Sequence, residues 1–166
     1  MNRIVRRVAV LGALLATPAA ITVATAASPA SAAVSATTIT TYENQVVTLV
    51  NQQRAAAGCV ALRNDSLLHS AARAHSVDMA THNYFDHTGT DGSTFVTRVQ
   101  ATGYSGSTVG ENIAWGWGTP SSVVNAWMNS APHKANILNC SFHATGVGLA
   151  YASNGTAYWT QEFGSK

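Results

Sequence analysis

Basic clusters, cysteine-rich spacing and long apolar runs are all missing from this 166-residue chain, and each absence removes a class of function. The formal charge of +2 includes Arg3, Arg6 and Arg7 in the first 32 residues. Beyond Ala32 there are six basic residues against seven acidic ones, a net of −1, and no group of lysines and arginines that could neutralise phosphates. Nucleic acid is therefore excluded as a partner. The apolar stretch Val8 to Ala16 falls well short of the roughly 20 residues that a spanning helix needs. No lipid-attachment cysteine follows it. His-Glu-x-x-His does not occur, which argues against a thermolysin-like zinc peptidase. Gly-x-Ser-x-Gly does not occur either, so no nucleophile elbow is present.

What the N-terminus does contain reads as an export signal. Three arginines precede a short apolar core, and Ala30-Ser31-Ala32 suits a peptidase that cuts after small residues. Residues 1–32 are expected to be a signal peptide cleaved after Ala32. The mature chain is then secreted, with no stable membrane anchor. Residues 33–41 carry no charge and no period and read as a short tether. Residues 42–166 form one domain, large enough for a single core. The only cysteines, Cys59 and Cys140, fall in it, and in an exported chain an even pair reads as one intrachain disulfide in a monomer. Closing so long a loop is worth about 4 kcal/mol in the chain-entropy model.

Helical spacing dominates the first two thirds of the domain. Val46, Leu49, Val50 and Gln53 predict a helix over Tyr42 to Ala57, ended by Gly58. Asn64 or Asp65 caps a second, running to about Thr81, whose inner stripe is Leu68, Ala72, His75 and Met79. Ser93 to Thr102 forms a third. Thr119-Pro120 starts a fourth, with Thr at the cap and Pro in the first turn. Ser130-Ala131-Pro132 breaks it and opens a turn carrying His133, with Ser130 as its cap. The period then changes. Ala144 to Ala152 and Thr156 to Phe163 read as strands joined at Asn154-Gly155, a strong hairpin dipeptide. Gly146 and Gly148 mark a bulge or a close backbone approach. Helices followed by strands indicate an α+β domain.

The chemistry-bearing residues stand in short distinctive words: His87 in Tyr-Phe-Asp-His-Thr, Glu111 in Gly-Glu-Asn-Ile-Ala, and His133 in Ser-Ala-Pro-His-Lys-Ala-Asn-Ile-Leu. Two imidazoles and a carboxylate suit a divalent-metal or acid–base site. The plainer alternative is a hydrogen-bonded cluster in which Glu111 ties loops together. His75 is expected in the core and His69 and His82 on helix surfaces or ends; for His143, close after Cys140, an approach to the cleft is only the weaker alternative. Trp127 and Trp159 belong to the core. Trp115 and Trp117 sit in a loop, where their rings either line a ligand groove or pack over a sheet edge.

Taken in order, these words resemble the CAP domain shared by cysteine-rich secretory proteins, venom antigens and plant pathogenesis-related proteins, in its small secreted bacterial branch. The series runs from Asn51-Gln52-Gln53-Arg54 through Asn83-Tyr84-Phe85-Asp86-His87-Thr88, Gly110-Glu111-Asn112, Trp127-Met128-Asn129-Ser130, His133-Lys134-Ala135-Asn136 and Gly146-Val147-Gly148 to Tyr158-Trp159-Thr160-Gln161. The resemblance implies a three-layer α–β–α sandwich with a central antiparallel sheet. It also implies a shallow cleft of two histidines and two acids, the histidines able to bind zinc. His87 and His133 then correspond to metal ligands, and Glu111 to the first acid, acting through a water. The second acid falls where Asn129 and Ser130 stand, and Glu162 could supply a carboxylate from a strand instead. The function implied is an extracellular binding module for a lipid, a glycan or a protein, with zinc or another divalent metal in the cleft. The alternative is an extracellular hydrolase of peptide, cell-wall or ester bonds that uses metal-activated water, with His87, Glu111 and His133 as its catalytic residues.

Overall fold

A computed structural model of the chain describes residues 34–166. The expected signal peptide and its cleavage point lie outside the described residues. The elements run α1 (Ala36–Ala56), β1 (Arg63–Asn64), α2 (Ser66–His82), α3 (Phe95–Ala101), β2 (Val109–Trp115), α4 (Pro120–Met128), α5 (Ala131–Ile137), β3 (Ala144–Tyr151) and β4 (Ala157–Gly164).

Local chemistry explains most helix boundaries. Asp65 accepts from the Leu67 and Leu68 amides to start α2, and Asn83 ends it in the left-handed region at φ 53°. Thr94 with Thr97, and Thr119 with Ser122, form reciprocal caps on α3 and α4. The beginning of α1 differs from expectation. It starts at Ala36, so most of the segment expected to be a tether is helix. Ser35 accepts from the Thr38 amide, while Thr40 and Thr41 bond back to the carbonyls of Ala36 and Thr37. Ile39 and Tyr42 pack against the core, and that burial outweighs the poor helix propensity of a threonine-rich run.

The sheet order is β1-β3-β4-β2. β3 and β4 form the expected hairpin, and β2 pairs antiparallel with the far side of β4. β1 pairs parallel with β3, so the sheet is mixed rather than wholly antiparallel. β2 carries no alternation in sequence: Glu111 and Asn112 are polar, yet both are buried.

Helices cover both faces. On one, Val147, Leu149, Trp159 and Phe163 meet α1 and α4 in the main core. On the other, α2 lies directly on β3 and β4. The two glycines of β3 allow this. A Cβ on Gly146 would sit 2.0 Å from the His69 backbone nitrogen, and one on Gly148 would sit 2.4 Å from that of Arg73. Close backbone approach is therefore the reason for both glycines.

Two long-range ties join the end of α1 to the segment after α5. Cys59 and Cys140 form a disulfide across 81 residues. Beside it, the fully buried Arg54 guanidinium makes five hydrogen bonds to the carbonyls of Val60, Ile137, Asn139 and Phe142.

Candidate functional site

β2 is an edge strand, and the site forms where the two helical layers end beside it. His87 comes from the loop between α2 and α3, Glu111 from β2, and His133 from α5. Together with Phe95, Pro132 and Asn136 they line a cleft of about 530 Å³. The three residues singled out in sequence thus share one depression.

Glu111 is the structural centre of the cleft. Its side chain is only 1% exposed. One oxygen takes a 2.6 Å hydrogen bond from His87 Nδ1, and the other takes a 2.7 Å bond from Arg98 Nη2. Arg98 also donates to the His87 carbonyl, so one α3 side chain holds both partners. Burial alone would raise the Glu111 pKa. The His87 bond, the Arg98 charge and the facing Glu162 outweigh it and hold the carboxyl below its ordinary value. The hydrogen bond that His87 donates to Glu111 raises the His87 pKa in turn. With Nδ1–H directed at Glu111, the half-exposed ring of His87 turns its other nitrogen outward, the arrangement by which a carboxylate fixes the tautomer of a metal-binding histidine.

His133 behaves oppositely. Burial, then the charge of His87, lower its pKa below the ordinary histidine value. Its Nδ1 lies 2.8 Å from Ser130 Oγ. Ser130 occupies the N-cap position of α5 but makes no side-chain cap bond, so its hydroxyl serves the histidine rather than the helix. The α5 backbone is held by two amides instead. Asn112 donates to the His133 carbonyl, and Asn136 donates to the Glu111 carbonyl and to Asn112 Oδ1.

Glu162 is the direct cross-strand neighbour of Glu111 and is completely buried. Neither of its carboxyl oxygens meets standard hydrogen-bond geometry among the described residues. The approach to Glu111 is nonetheless close enough for a shared proton to act on both groups. Burial, reinforced by the Glu111 charge, pushes Glu162 well above the usual carboxylate range. It therefore holds its proton to higher pH than Glu111 does, because two facing carboxylates in one dry site oppose each other's ionisation. A second carboxyl group thus faces Glu111 from β4, buried in the sheet and not among the residues lining the cleft.

Linkage gives the sign of a test. The folded state keeps a proton on Glu162 that the unfolded chain releases above the ordinary value of 4.5. Its contribution is fully present below that pH and is lost as pH rises toward the folded pKa. Glu162→Gln retains a donor toward Glu111 but no ionisable group. The variant is expected to be more stable than the wild type at pH 8, with a smaller fall in stability between pH 5 and pH 8. Urea midpoints at the two pH values measure this, and parallel profiles for the two proteins would contradict it.

The remaining expectations sort as follows. His75 is in the core, 1% exposed, with Nε2 bonded to the Asp86 carbonyl. His69 is half-buried and bonds Glu43, which also caps the Leu149 amide. His82 is exposed at the end of α2 beside Asp78. His143 is exposed and does not line the cleft, because its backbone is fixed between Arg63 and Gly164 at the opposite side of the sheet. Trp127 and Trp159 are buried. Trp115 and Trp117 are 54% and 45% exposed, and with Phe85, Ser130 and His133 they line a second groove of about 330 Å³. His133 therefore walls both depressions. Sequence reasoning missed Arg98, Phe85 and Asn136 as site residues. Arg98 occurs in an unremarkable helical stretch, while Phe85 and Asn136 lie inside the very words that carry His87 and His133.

The sequence profile described as "Cysteine-rich secretory protein family", the CAP family, matches residues 47–163. The chain belongs to this family. Among curated CAP relatives, the Bacillus subtilis "Uncharacterized protein YkwD" is 46% identical over 126 residues, covering 75% of this chain and 48% of that protein. The B. subtilis "Uncharacterized membrane protein YlbC" is 32% identical over 124 residues, covering 75% and 34%. The chain spans half or less of the length of these relatives. Among solved structures, an extracellular SCP-domain protein from Bacillus anthracis superposes with a TM-score of 0.71 at 29% identity, covering 80% of this chain and 44% of that one. An outer surface protein of Borrelia burgdorferi shares the CAP fold at a TM-score of 0.69 and 22% identity, covering 74% and 91%. These structural neighbours are extracellular or surface proteins, and no described helix of this CAP domain is long and apolar enough to cross a membrane.

The metal that the family implies can be tested against the donors present. Among the described residues, no group of three or more His, Cys, Asp or Glu side chains is disposed to hold a metal ion. Both Glu111 oxygens are engaged by His87 and Arg98. The donors therefore do not fit a three-ligand catalytic zinc. What is left for a metal is two imidazole nitrogens on opposite walls of an open cleft.

Proposed function

We propose that this CAP domain works outside the cell as a binding module whose ligand enters the cleft between His87 and His133. The observation that carries this reading is the complete engagement of Glu111. A carboxylate already shared between an imidazole and a guanidinium is a brace for the cleft wall, not a free base for activating water. The Ser130–His133 contact lacks the third group that would orient a general base, since the other ring nitrogen of His133 has no hydrogen-bond partner among the described residues. Binding therefore accounts for the geometry better than hydrolysis of a peptide, cell-wall or ester bond.

The two imidazoles belong to the same reading. Zinc, or another divalent metal, is received by His87 and His133 as a weak, water-completed site, with Glu111 orienting His87 from behind. Calorimetric titration with zinc tests it. Weak one-to-one binding is expected in the wild type, with loss in both His87→Ala and His133→Ala and retention in His143→Ala. Zinc binding that survives both cleft substitutions would remove the metal from the proposal.

A further inference from the structure

The second groove contains exposed aromatic surface that folding does not require. Phe85, Trp115 and Trp117 are each 44% or more exposed, although buried positions were available to the other tryptophans. Phe85 and Trp115 are ring neighbours, and Trp117 lines the same groove. The Phe85 and Trp115 centroids lie 6.2 Å apart, and Trp115 stacks on Tyr158 at 6.4 Å with 26° between planes.

The backbone beneath them is pinned. The Trp117 carbonyl accepts a 2.7 Å bond from the indole of buried Trp159, and the Gly116 amide donates to the Ala157 carbonyl at 2.8 Å. Gly116 takes φ +80°, the left-handed turn that sets the two tryptophans on either side of it. Rings held this way lose little freedom when a ligand arrives. The lining contains no acidic side chain, lysine or arginine. Its polar groups are the Ser130 hydroxyl and the His133 imidazole, 2.8 Å apart.

We infer that the groove lined by Phe85, Trp115 and Trp117, with Ser130 and His133 among its lining residues, is a binding site for an uncharged saccharide chain. The inference rests on the binding-module reading and names a ligand class for the groove beside the cleft. Ring faces are electron-rich, and the axial C–H bonds of a pyranose present partial positive charge to them. Sugar hydroxyls meanwhile need hydrogen-bond donors and acceptors at the edge of such a platform, which Ser130 and His133 supply. The groove is open to solvent, so a sugar chain need not thread into it. An anionic membrane fits less well, because no basic side chain flanks the rings and the chain beyond Ala32 carries a net −1.

The test is calorimetric titration of the chain beyond Ala32 with N-acetylglucosamine hexasaccharide and with cellohexaose, alongside sedimentation with phosphatidylcholine vesicles. Saturable binding of at least one hexasaccharide is expected, weakened at least about tenfold in both Trp117→Ala and Phe85→Ala. Truncating the Trp117 side chain leaves its carbonyl bond to Trp159 in place, and Phe85 is an exposed loop residue. Unchanged circular dichroism is expected in both variants. No saturable binding to either sugar overturns the inference, as does equal binding by wild type and both variants. Adsorption to vesicles without sugar binding overturns it in favour of a lipid surface. Zinc titration of the same protein reads the cleft through His87, which does not line the groove. A protein that binds zinc but neither sugar sinks this inference and leaves the cleft reading standing.

Discussion

Gly146→Ala is expected to cost more stability than any other single-methyl change in the domain, at least about 3 kcal/mol. The added Cβ would lie 2.0 Å from the His69 nitrogen, 2.3 Å from the Leu68 carbonyl carbon and 2.5 Å from the His69 Cα. All three are backbone atoms of a helix, so no rotamer change relieves the overlap. α2 would have to lift from β3 and β4, exposing Leu68, Ala72 and Met79, which are fully buried. Urea unfolding of Gly146→Ala beside Gly118→Ala gives the comparison. Gly118 has open space around its Cβ direction and lacks a left-handed φ, so its variant should behave like the wild type. Equal midpoints for the two variants would show that the helix does not rest on the strand as described.

Arg54→Met should be comparably damaging, on the order of 4 kcal/mol. The methionine keeps much of the aliphatic stem but removes five hydrogen bonds and leaves the carbonyls of Val60, Ile137 and Phe142 without these donors, while Asn139 keeps only the Phe142 amide. These carbonyls belong to two chain segments that the Cys59–Cys140 disulfide also joins. The covalent tie limits how far the segments can part, so the loss is expected to be larger after reduction. Unfolding midpoints measured with and without reductant check both statements. A variant as stable as the wild type in both conditions would mean that water replaces the guanidinium at no cost.

His87, Glu111 and His133 were legible as candidates because each sits in a distinctive word, and the structure does bring them to one cleft. The nature of that cleft was not legible. Glu111 reads as a loop carboxylate free to hold water, yet it is a buried strand residue fully engaged by His87 and Arg98. Its strand shows no alternation because both of its faces are covered, one by α2 and α3 and the other by α4 and α5, so polar residues are buried along with apolar ones. Ser130 reads as a helix cap and is a histidine partner. At an N-cap position the hydroxyl has two acceptors or donors within reach, and only packing decides between them.

Local sequence by itself determined the cap residues Asp65, Thr94 and Thr119, the hairpin at Asn154-Gly155, the single cysteine pair and the glycines that admit a close helix. Each of these depends on interactions within a few residues, on parity or on the absence of a Cβ. Tertiary structure alone decided the parallel pairing of β1, the burial of Arg54 and the pairing of Glu162 with Glu111. Those features depend on which distant segments meet and on how much water remains between them. Glu162 illustrates the difference. In sequence it is one more carboxylate near the C-terminus. Opposite Glu111 in a water-excluded sheet it holds its proton to higher pH than Glu111 does, because burial and a facing negative charge both oppose its ionisation.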